Sequence, residues 1–144
     1  KNKRSKMTIG WREWVAFPDI GVHRIKAKID TGARTSAMHA WHIREFERDG
    51  ATWVSFEVHP TQRNNRESLT CAAPVVDRRN IKSSSGHNEI RYVVTVNIEI
   101  AGTTRNIELT LSNRDEMGFR LLLGRTTLRR HYIVDPGRSY ILGK

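Results

Sequence analysis

The chain has 144 residues, of which 38% are hydrophobic and 28% are charged, which predicts one globular domain with a core of moderate size. Its formal net charge of +10 favours acidic partners, and its single cysteine, Cys71, excludes an internal disulfide and a cysteine-based zinc site. No run is apolar enough for a membrane helix and no secretion signal is visible, so we expect a cytoplasmic protein that contacts no membrane. A trimmed N-terminal signal stays open, because the chain begins at Lys1 rather than at a methionine.

Short extended segments dominate the predicted secondary structure. Residues 1–8 are basic and polar and are expected to form a flexible N-terminus ahead of a single domain over residues 9–144. The predicted strands span residues 9–17, 22–29, 36–46, 52–58, 69–76, 92–100, 104–111, 119–123, 133–135 and 140–142. The one predicted helix is short, residues 126–130, with Thr126 or Thr127 as its cap. This pattern predicts an all-β fold.

Turn signals between these segments predict how the strands pair. Asp49-Gly50 joins two extended segments in a hairpin, and Ala101-Gly102 joins the two most clearly alternating strands. Pro74 lies inside a predicted strand and indicates an edge or a bulge, because proline has no N–H to donate to a neighbouring strand.

The predicted strand over residues 22–29 leads directly into Asp30, Thr31 and Gly32. Glycine lets the backbone turn tightly enough for peptide N–H groups to point at the aspartate carboxylate. A carboxylate held at the exposed tip of such a turn keeps lone pairs free to activate a water molecule. The tripeptide alone is also typical of an ordinary Asx turn, so a second motif is needed before it indicates a function.

That second motif comes late in the chain, where three leucines at residues 121–123 are followed by Gly124 and Arg125. Alone, this segment would be a core strand ending in a turn. An early Asp-Thr-Gly-Ala combined with a late apolar triplet and Gly-Arg resembles the pattern of a retropepsin-like aspartic protease.

Only one Asp-Thr-Gly is present, so the chain carries half of a two-aspartate site. A lone aspartate near neutral pH is an ionised weak base, whereas two facing aspartates share one proton and act together as base and acid. Glycine also closely follows Asp49 and Asp135, but neither segment has the hydroxyl residue of a second motif. We therefore predict a homodimer that places Asp30 beside its copy on a two-fold axis, with the Thr31 hydroxyl bonding across it.

Longer stretches around these motifs are also informative. They are residues 26–37, Cys71 to Asp77, Arg79 through Gly86, residues 107–111, Met117, residues 122–125 and residues 134–140. Together they resemble a bacterial family related to RimB, whose retropepsin-like members are often labelled ATP-dependent zinc proteases. The resemblance spans residues 11–143, almost the whole chain.

This resemblance implies a closed β-barrel of retropepsin type, with Asp30, Thr31 and Gly32 as the catalytic motif and a flap over residues 82–87. It implies that the chain is an aspartic-type endopeptidase. It also implies a glutamate-rich peptide or protein tail as substrate, and a functional link to an ATP-grasp ligase that adds glutamates.

Substrate contacts are predicted in the flap. Ser83, Ser84, Ser85 and Gly86 would give it a polar, mobile tip that could close over a bound peptide and exclude water. An extended peptide would bind beneath the flap by strand-like hydrogen bonds. The alternative is that these residues form a solvated loop.

Ala33, Arg34 and Arg125 are the other predicted substrate contacts. In viral retropepsins an aspartate follows Asp-Thr-Gly-Ala and pairs with the arginine of the Gly-Arg motif, whereas here that position is Arg34. Two guanidinium groups at one pocket would repel each other unless an anion lay between them, and a substrate glutamate would fit. The alternative is that Arg34 points to solvent or to another carboxylate.

The residues do not favour the zinc label. His-Glu-x-x-His is absent, and His39 and His42 lie three apart on a predicted strand, where they would face opposite sides. A zinc site needs three or four converging ligands. No metal and no other cofactor is predicted.

Two further functions stay open. A peptide-binding module could have kept the fold and lost the activity. A basic β-barrel could bind RNA, but the aromatic residues do not alternate with lysine or arginine on one predicted strand face, as a stacking platform requires. An acidic peptide is therefore favoured over nucleic acid as the partner.

Overall fold

Strands make up most of the chain in the computed structural model, which describes residues 6–60, 68–82, 86, 88–112 and 119–143. In chain order they are β1 (Met7–Gly10), β2 (Arg12–Phe17), β3 (Val22–Ile29), β4 (Ser36–His39), β5 (Trp41–Arg48), β6 (Ala51–Val58), β7 (Leu69–Lys82), β8 (Asn88–Ile100), β9 (Thr103–Ser112), β10 (Leu121–Leu123) and β11 (Tyr132–Asp135). A 3₁₀ turn (Pro18–Ile20) and one short helix, α1 (Arg125–Leu128), complete the elements of these residues. Neither is long and apolar enough to cross a membrane.

Six of the strands close into a barrel. Their order is β2-β3-β10-β4-β9-β8, and β8 returns to β2 through the pairing of Ala16 with Glu99. The sheet continues outward from β8 through β7, β6 and β5, and we call these three strands the outer sheet. β1 and β11 form a separate two-stranded parallel sheet. The predicted all-β closed barrel is therefore confirmed.

Alternating apolar residues fill the barrel, as the sequence predicts. In β8, Val94, Val96, Ile98 and Ile100 are each at most 2% exposed, because a strand turns every second side chain to the same face. Phe17, at the end of β2, is completely buried against this cluster.

Both predicted hairpins form. Asp49 and Gly50 join β5 to β6, and Ala101 and Gly102 join β8 to β9, each pair with φ values of +53° and +79°. Two successive residues with positive φ match the right-handed twist of paired strands, which is why glycine occupies the second position.

The insertion of β10 between β3 and β4 is the feature that builds the site. β10 runs parallel to β3, with Leu121 opposite Ala27 and Leu123 opposite Ile29, and antiparallel to β4. Leu121 and Leu123 are completely buried. Because β3 and β4 are separated by this strand, the segment of residues 30–35 that connects them must pass around the end of β10.

Two predicted strands are divided. The strand predicted over residues 9–17 breaks at Trp11, whose N–H donates to the carbonyl of Arg138 (2.9 Å) instead of to a neighbouring strand. The segment predicted over residues 36–46 breaks at Ala40, so that β4 joins the barrel and β5 joins the outer sheet.

The two ends of the described chain also differ from prediction. β1 begins at Met7, two residues before the predicted start of the domain, because it pairs with β11. Residues 140–142 do not form the predicted strand, since Tyr140 adopts φ of +54° and turns the chain.

Pro74 lies where β7 changes partners. Up to Pro74 the strand pairs with β6, and from Val75 onward it pairs with β8, with a register shift between Val75 and Asp77. Of the two predicted alternatives, an edge or a bulge, the structure has a register irregularity, and it lies just after Pro74. β7 continues to Lys82, which pairs with Asn88, so both strands extend beyond the predicted ranges of 69–76 and 92–100.

Glu13 ties the C-terminal segment to β2. Its side chain is completely buried, and its carboxylate accepts the backbone N–H groups of Gly10 (2.6 Å), Ile141 (2.9 Å) and Leu142 (3.2 Å). A buried carboxylate is tolerated because these donors replace the hydrogen bonds it would make to water.

We expect Glu13→Gln to lower the free energy of unfolding by about 2–3 kcal/mol, because the amide NH₂ would face a backbone N–H in place of an accepting oxygen. Chemical denaturation measures the change. Glu99→Gln, at an exposed position of β8, is the control and should cost less than about 0.5 kcal/mol. Equal losses in both variants would contradict the role given to Glu13.

Candidate active site

Asp30 is held at the junction of two parallel strands. Its N–H donates to the carbonyl of Leu123 (2.9 Å), which extends the β3–β10 pairing by one residue. Its own carbonyl accepts the N–H of Ala33 (3.1 Å), which closes the turn. The backbone of Asp30 is therefore fixed on both sides, while its side chain stays half exposed.

The Asp30 carboxylate receives a peptide N–H, as the glycine in the motif predicts. Gly32 donates to Oδ1 at 3.1 Å, and a Cβ added to Gly32 would lie only 3.3 Å from the same oxygen. Within the described residues, Asp30 makes no hydrogen bond to a second carboxyl group. At this turn the described residues thus present one oriented carboxylate.

Thr31 is exposed at the tip of the turn. Its hydroxyl makes no hydrogen bond within the part of the chain that the structure describes, so it is available to another molecule. Its carbonyl, in contrast, accepts the guanidinium Nη1 of Arg125 at 3.0 Å.

Arg125 begins helix α1 and links it to the same turn. Its backbone N–H donates to the carbonyl of Ala33 (2.8 Å), and the N–H of the next residue, Thr126, donates to the carbonyl of Arg34 (3.0 Å). The N-cap is Gly124, so the prediction of Thr126 or Thr127 as cap is wrong. The loop carbonyls serve as caps here, because they accept the first N–H groups of the helix.

A buried hydroxyl pair supports this arrangement from below. Ser36 Oγ accepts the N–H of Gly124 (3.1 Å) and shares a 2.6 Å hydrogen bond with Thr127 Oγ1. Ser36 is completely buried and Thr127 is 1% exposed. The sequence analysis missed both residues, since a serine and a threonine 91 positions apart give no local signal.

Gly124 is required by close backbone contact. A Cβ at this position would lie 2.5 Å from the carbonyl oxygen of Thr35 and 2.9 Å from that of Ala33. Because the loop that carries Asp30 passes directly over the end of β10, no side chain fits between them.

We expect Gly124→Ala to displace this loop and to destabilise the protein by about 1–3 kcal/mol, with a larger loss in any activity that depends on Asp30. Thermal denaturation and the hydrolysis assay described below measure the two effects. Gly137→Ala is the matched control, because its added Cβ meets only an ordinary 3.5 Å contact. Full activity of Gly124→Ala would contradict this account.

Contrary to the prediction, Arg34 and Arg125 do not line the same pocket. Arg34 lines a cleft of about 410 Å³ together with Arg79, Arg105 and Glu108, and Arg125 is not among its lining residues. The guanidinium of Arg125 binds the turn itself, which removes it from the proposed anion site. The cleft nevertheless brings three arginines together.

Beside Asp30, the sheet presents a short row of half-buried side chains. Leu122 lies between Lys28 on β3 and Ala37 on β4. Lys28 precedes Asp30 by two residues and so shares its face of the strand. The sequence analysis did not assign Lys28 a role, although the period of two would have indicated it.

The predicted flap lies at the end of the β7–β8 hairpin. Ser83, Ser84 and Ser85 lie outside the described residues, whereas Gly86 is exposed with φ of +87°. The arms of the hairpin carry exposed apolar side chains, with Val76 51% exposed. The contacts predicted for the serines stay predictions.

The histidines and the cysteine are engaged elsewhere. His39 is buried and stacks on Trp41 with ring centroids 3.8 Å apart, whereas His42 is exposed and binds Glu57. The two histidines lie on different strands, β4 and β5, and not on the one strand predicted to carry both. Among the described residues, no three histidine, cysteine or acidic side chains are grouped so as to hold a metal ion. Burial raises the pKa of Cys71 to about 11, so its thiol is not a nucleophile near neutral pH.

One aromatic residue meets cations across two strands. Trp14 on β2 lies opposite Lys26 on β3, and Arg24 lies over the Trp14 ring. The prediction considered only alternation along a single strand and did not foresee this cross-strand neighbourhood. The pairing register between the two strands decides this neighbourhood, and single-strand periodicity does not give it.

Comparison with known protein families identifies one whose members share the sequence pattern of this chain. A sequence model of the family named RimB-like, described as retropepsin-like aspartic endopeptidase RimB, matches residues 8–144. The chain belongs to the RimB-like family. The turn at Asp30 and the Gly-Arg at the start of α1 lie within the matched residues.

Curated relatives of this RimB-like chain carry a different name. Proteins from Shewanella pealeana and Desulfotalea psychrophila are 52% and 48% identical to it over 140 residues, and each is named probable alpha-L-glutamate ligase. The match covers 97% of this chain but only 31% and 30% of those proteins. The chain thus spans about a third of the length of the relatives it matches.

A solved structure shares the RimB-like fold. The protein Lpg0085 from Legionella pneumophila superposes with a TM-score of 0.80 at 27% identity, covering 96% of this chain and 99% of that one. It is described as a protein of unknown function (DUF785). The agreement therefore extends over the whole barrel and assigns no activity.

Proposed function

We propose that this RimB-like chain is an aspartic peptidase in which Asp30 and its copy in a second chain activate a water molecule to hydrolyse peptide bonds. The observation that supports this is the oriented Asp30 carboxylate, which receives the Gly32 N–H and meets no second carboxyl group within the described residues. The exposed Thr31 hydroxyl at the tip of the same turn offers a contact to the second chain.

In the proposed dyad the two carboxyl groups share one proton, because both cannot be ionised at contact distance. The ionised member takes a proton from water while the water oxygen bonds to the substrate carbonyl carbon, and the protonated member gives its proton to the carbonyl oxygen. The resulting diol then loses the amine. The nitrogen takes a proton from one carboxyl group as the C–N bond breaks, and a diol hydroxyl returns a proton to the other.

The proposed substrate is an acidic, glutamate-rich peptide or protein tail. A net charge of +10 and the cleft that holds Arg34, Arg79 and Arg105 support an acidic ligand. The relatives' name, probable alpha-L-glutamate ligase, supports a link to glutamate addition. We accordingly propose that a ligase of this kind, such as an ATP-grasp enzyme, supplies the substrate of this chain.

The same names favour a second candidate. Since the matched segment is about a third of each relative, the chain could be a peptide-holding part of a glutamate ligase that performs no hydrolysis itself. This candidate predicts tight binding of glutamate peptides without turnover, and no loss when Asp30 is replaced.

We expect Asp30→Asn to lower the rate of hydrolysis of glutamate-rich peptides by about a thousandfold or more, because asparagine can neither accept the proton of water nor share one with its partner. Mass spectrometry of peptide products measures the rate, and circular dichroism checks the fold. Activity that survives Asp30→Asn, or that a chelator abolishes, would contradict the proposal.

Mixing wild-type chains with an excess of Asp30→Asn chains tests whether the dyad forms between chains. We expect the activity per wild-type chain to fall steeply, because mixed dimers hold one aspartate. Sedimentation of the mixture verifies that the chains associate. Activity that stays proportional to the wild-type concentration, despite exchange of chains, would show that one chain suffices.

The Arg34 cleft makes a separate prediction. Arg34→Gln should reduce the preference for glutamate over glutamine peptides by about fivefold to tenfold, because it removes a cation from the cleft. Specificity constants for matched peptide pairs measure the preference. Arg44→Gln, at an exposed position of β5, is the control and should leave it unchanged. An unchanged preference in Arg34→Gln would remove the cleft from substrate recognition.

A further inference from the structure

A second surface of the barrel combines cations and aromatic rings. On β3, Arg24 and Lys26 lie on the same face as Asp30, and on β2, Trp14 lies directly opposite Lys26. Tyr140, from the C-terminal segment, stacks on Trp14 with ring centroids 6.0 Å apart and planes at 18°. We call this surface the Trp14 face; it comprises Arg12, Trp14, Arg24, Lys26 and Tyr140.

Every cation of the Trp14 face lies over a ring. The Arg24 guanidinium is 4.0 Å and the Lys26 ammonium 5.4 Å from the Trp14 ring centroid. The Arg12 guanidinium is 5.0 Å from the Tyr140 centroid, and its Nε donates to Ser139 Oγ at 3.1 Å. These are cation–π distances, at which ring and cation attract.

No carboxylate neutralises these cations within the described residues. None of Arg12, Arg24 and Lys26 forms an ion pair there, and Arg24 is exposed. Glu13, the acidic residue of β2, is buried and occupied by backbone N–H groups. Among the residues that the structure describes, the face therefore presents three positive charges with no acidic side chain paired to them.

The rings also limit the motion of these cations. A lysine or arginine side chain on a surface normally samples many rotamers, and ordering them opposes binding. Because the rings hold Arg24 and Lys26 in place before a ligand arrives, less conformational entropy is lost when one binds.

From these observations we infer that the Trp14 face is a docking surface for an acidic polypeptide segment in extended conformation. Its role as a substrate site rests on the proposed peptidase function, although docking itself does not require hydrolysis. Lys26 precedes Asp30 by four strand residues, about 13 Å, so a segment bound along β3 leads toward the carboxylate.

Spacing and ring occupancy favour a peptide over a nucleic acid. Arg24 and Lys26 are separated by two strand residues, which is the spacing of side chains on one face of an extended peptide. Alternate glutamates of such a peptide could meet successive cations. Nucleobases need open ring faces, whereas the Trp14 ring is already in contact with two cations and Tyr140.

The test measures binding apart from hydrolysis. In an Asp30→Asn background, fluorescence anisotropy with a labelled ten-residue oligoglutamate gives Kd for the parent, for Arg24→Gln/Lys26→Gln and for the control Arg48→Gln. Arg48 is matched because it also lies over aromatic rings, 4.4 Å from the Trp53 centroid, but on the outer sheet. We expect about a tenfold rise in Kd for the double variant and no change for the control.

Three outcomes would overturn the inference. The first is an equal Kd for the parent and the double variant when both melt at the same temperature. The second is binding of oligoglutamine by the parent as tight as its binding of oligoglutamate. The third is displacement of oligoglutamate by a uridine decamer that binds more tightly through Arg24 and Lys26. If the double variant were unstable, Arg24→Gln alone, at an exposed position, would serve with a smaller expected rise. If the wild-type chain, with Asp30 intact, bound oligoglutamate through this face but hydrolysed no peptide, the docking surface would be supported and the peptidase proposal refuted.

Discussion

The site depends on one strand inserted between two others. Because β10 separates β3 from β4, the chain that joins them must cross the end of β10, and this crossing carries Asp30. The hydrogen bond from Asp30 N–H to Leu123 fixes one side of the crossing, and the contact of Gly124 with Thr35 fixes the other. Buried leucines on β10 hold the strand in the barrel, so apolar burial determines where the carboxylate lies.

The same constraint explains why the turn is rigid at its base and open at its tip. The carbonyls of Thr31, Ala33 and Arg34 are all taken up by donors from the start of α1. Within the described residues, the side chains of Asp30 and Thr31 at the tip make one hydrogen bond, in which the Asp30 carboxylate accepts the Gly32 N–H. A backbone whose carbonyls are held in this way can keep a carboxylate in position without covering it, so that the carboxylate can act on another molecule.

The sequence predicts those parts of this structure that depend on local pattern. Alternation located β3, β6, β8 and β9, and glycine after aspartate or alanine located both hairpins, since each signal lies within a few residues. Features that depend on pairing between distant strands were not predictable. The Ser36–Thr127 hydroxyl pair, the division at Trp11 and the meeting of Trp14 with Lys26 all follow from register, which one sequence does not specify. For the same reason the sequence did not show that Arg125 binds the Thr31 carbonyl instead of sharing a pocket with Arg34.

The placement of charge follows from the chemistry proposed for Asp30. Two aspartates that share one proton carry a net charge of −1, and a glutamate-rich substrate brings charge of the same sign. At about 7 Å and an effective dielectric constant of about 20, each such glutamate would be repelled by about 2 kcal/mol. The strand that leads to the carboxylate, β3, carries positive charge on the face of Asp30. Its cations there are Lys28, two residues before Asp30, and farther along Lys26 and Arg24. Cations along β3 would offset this repulsion for an acidic substrate, so the charge of the strand and the proposed reaction favour the same partner.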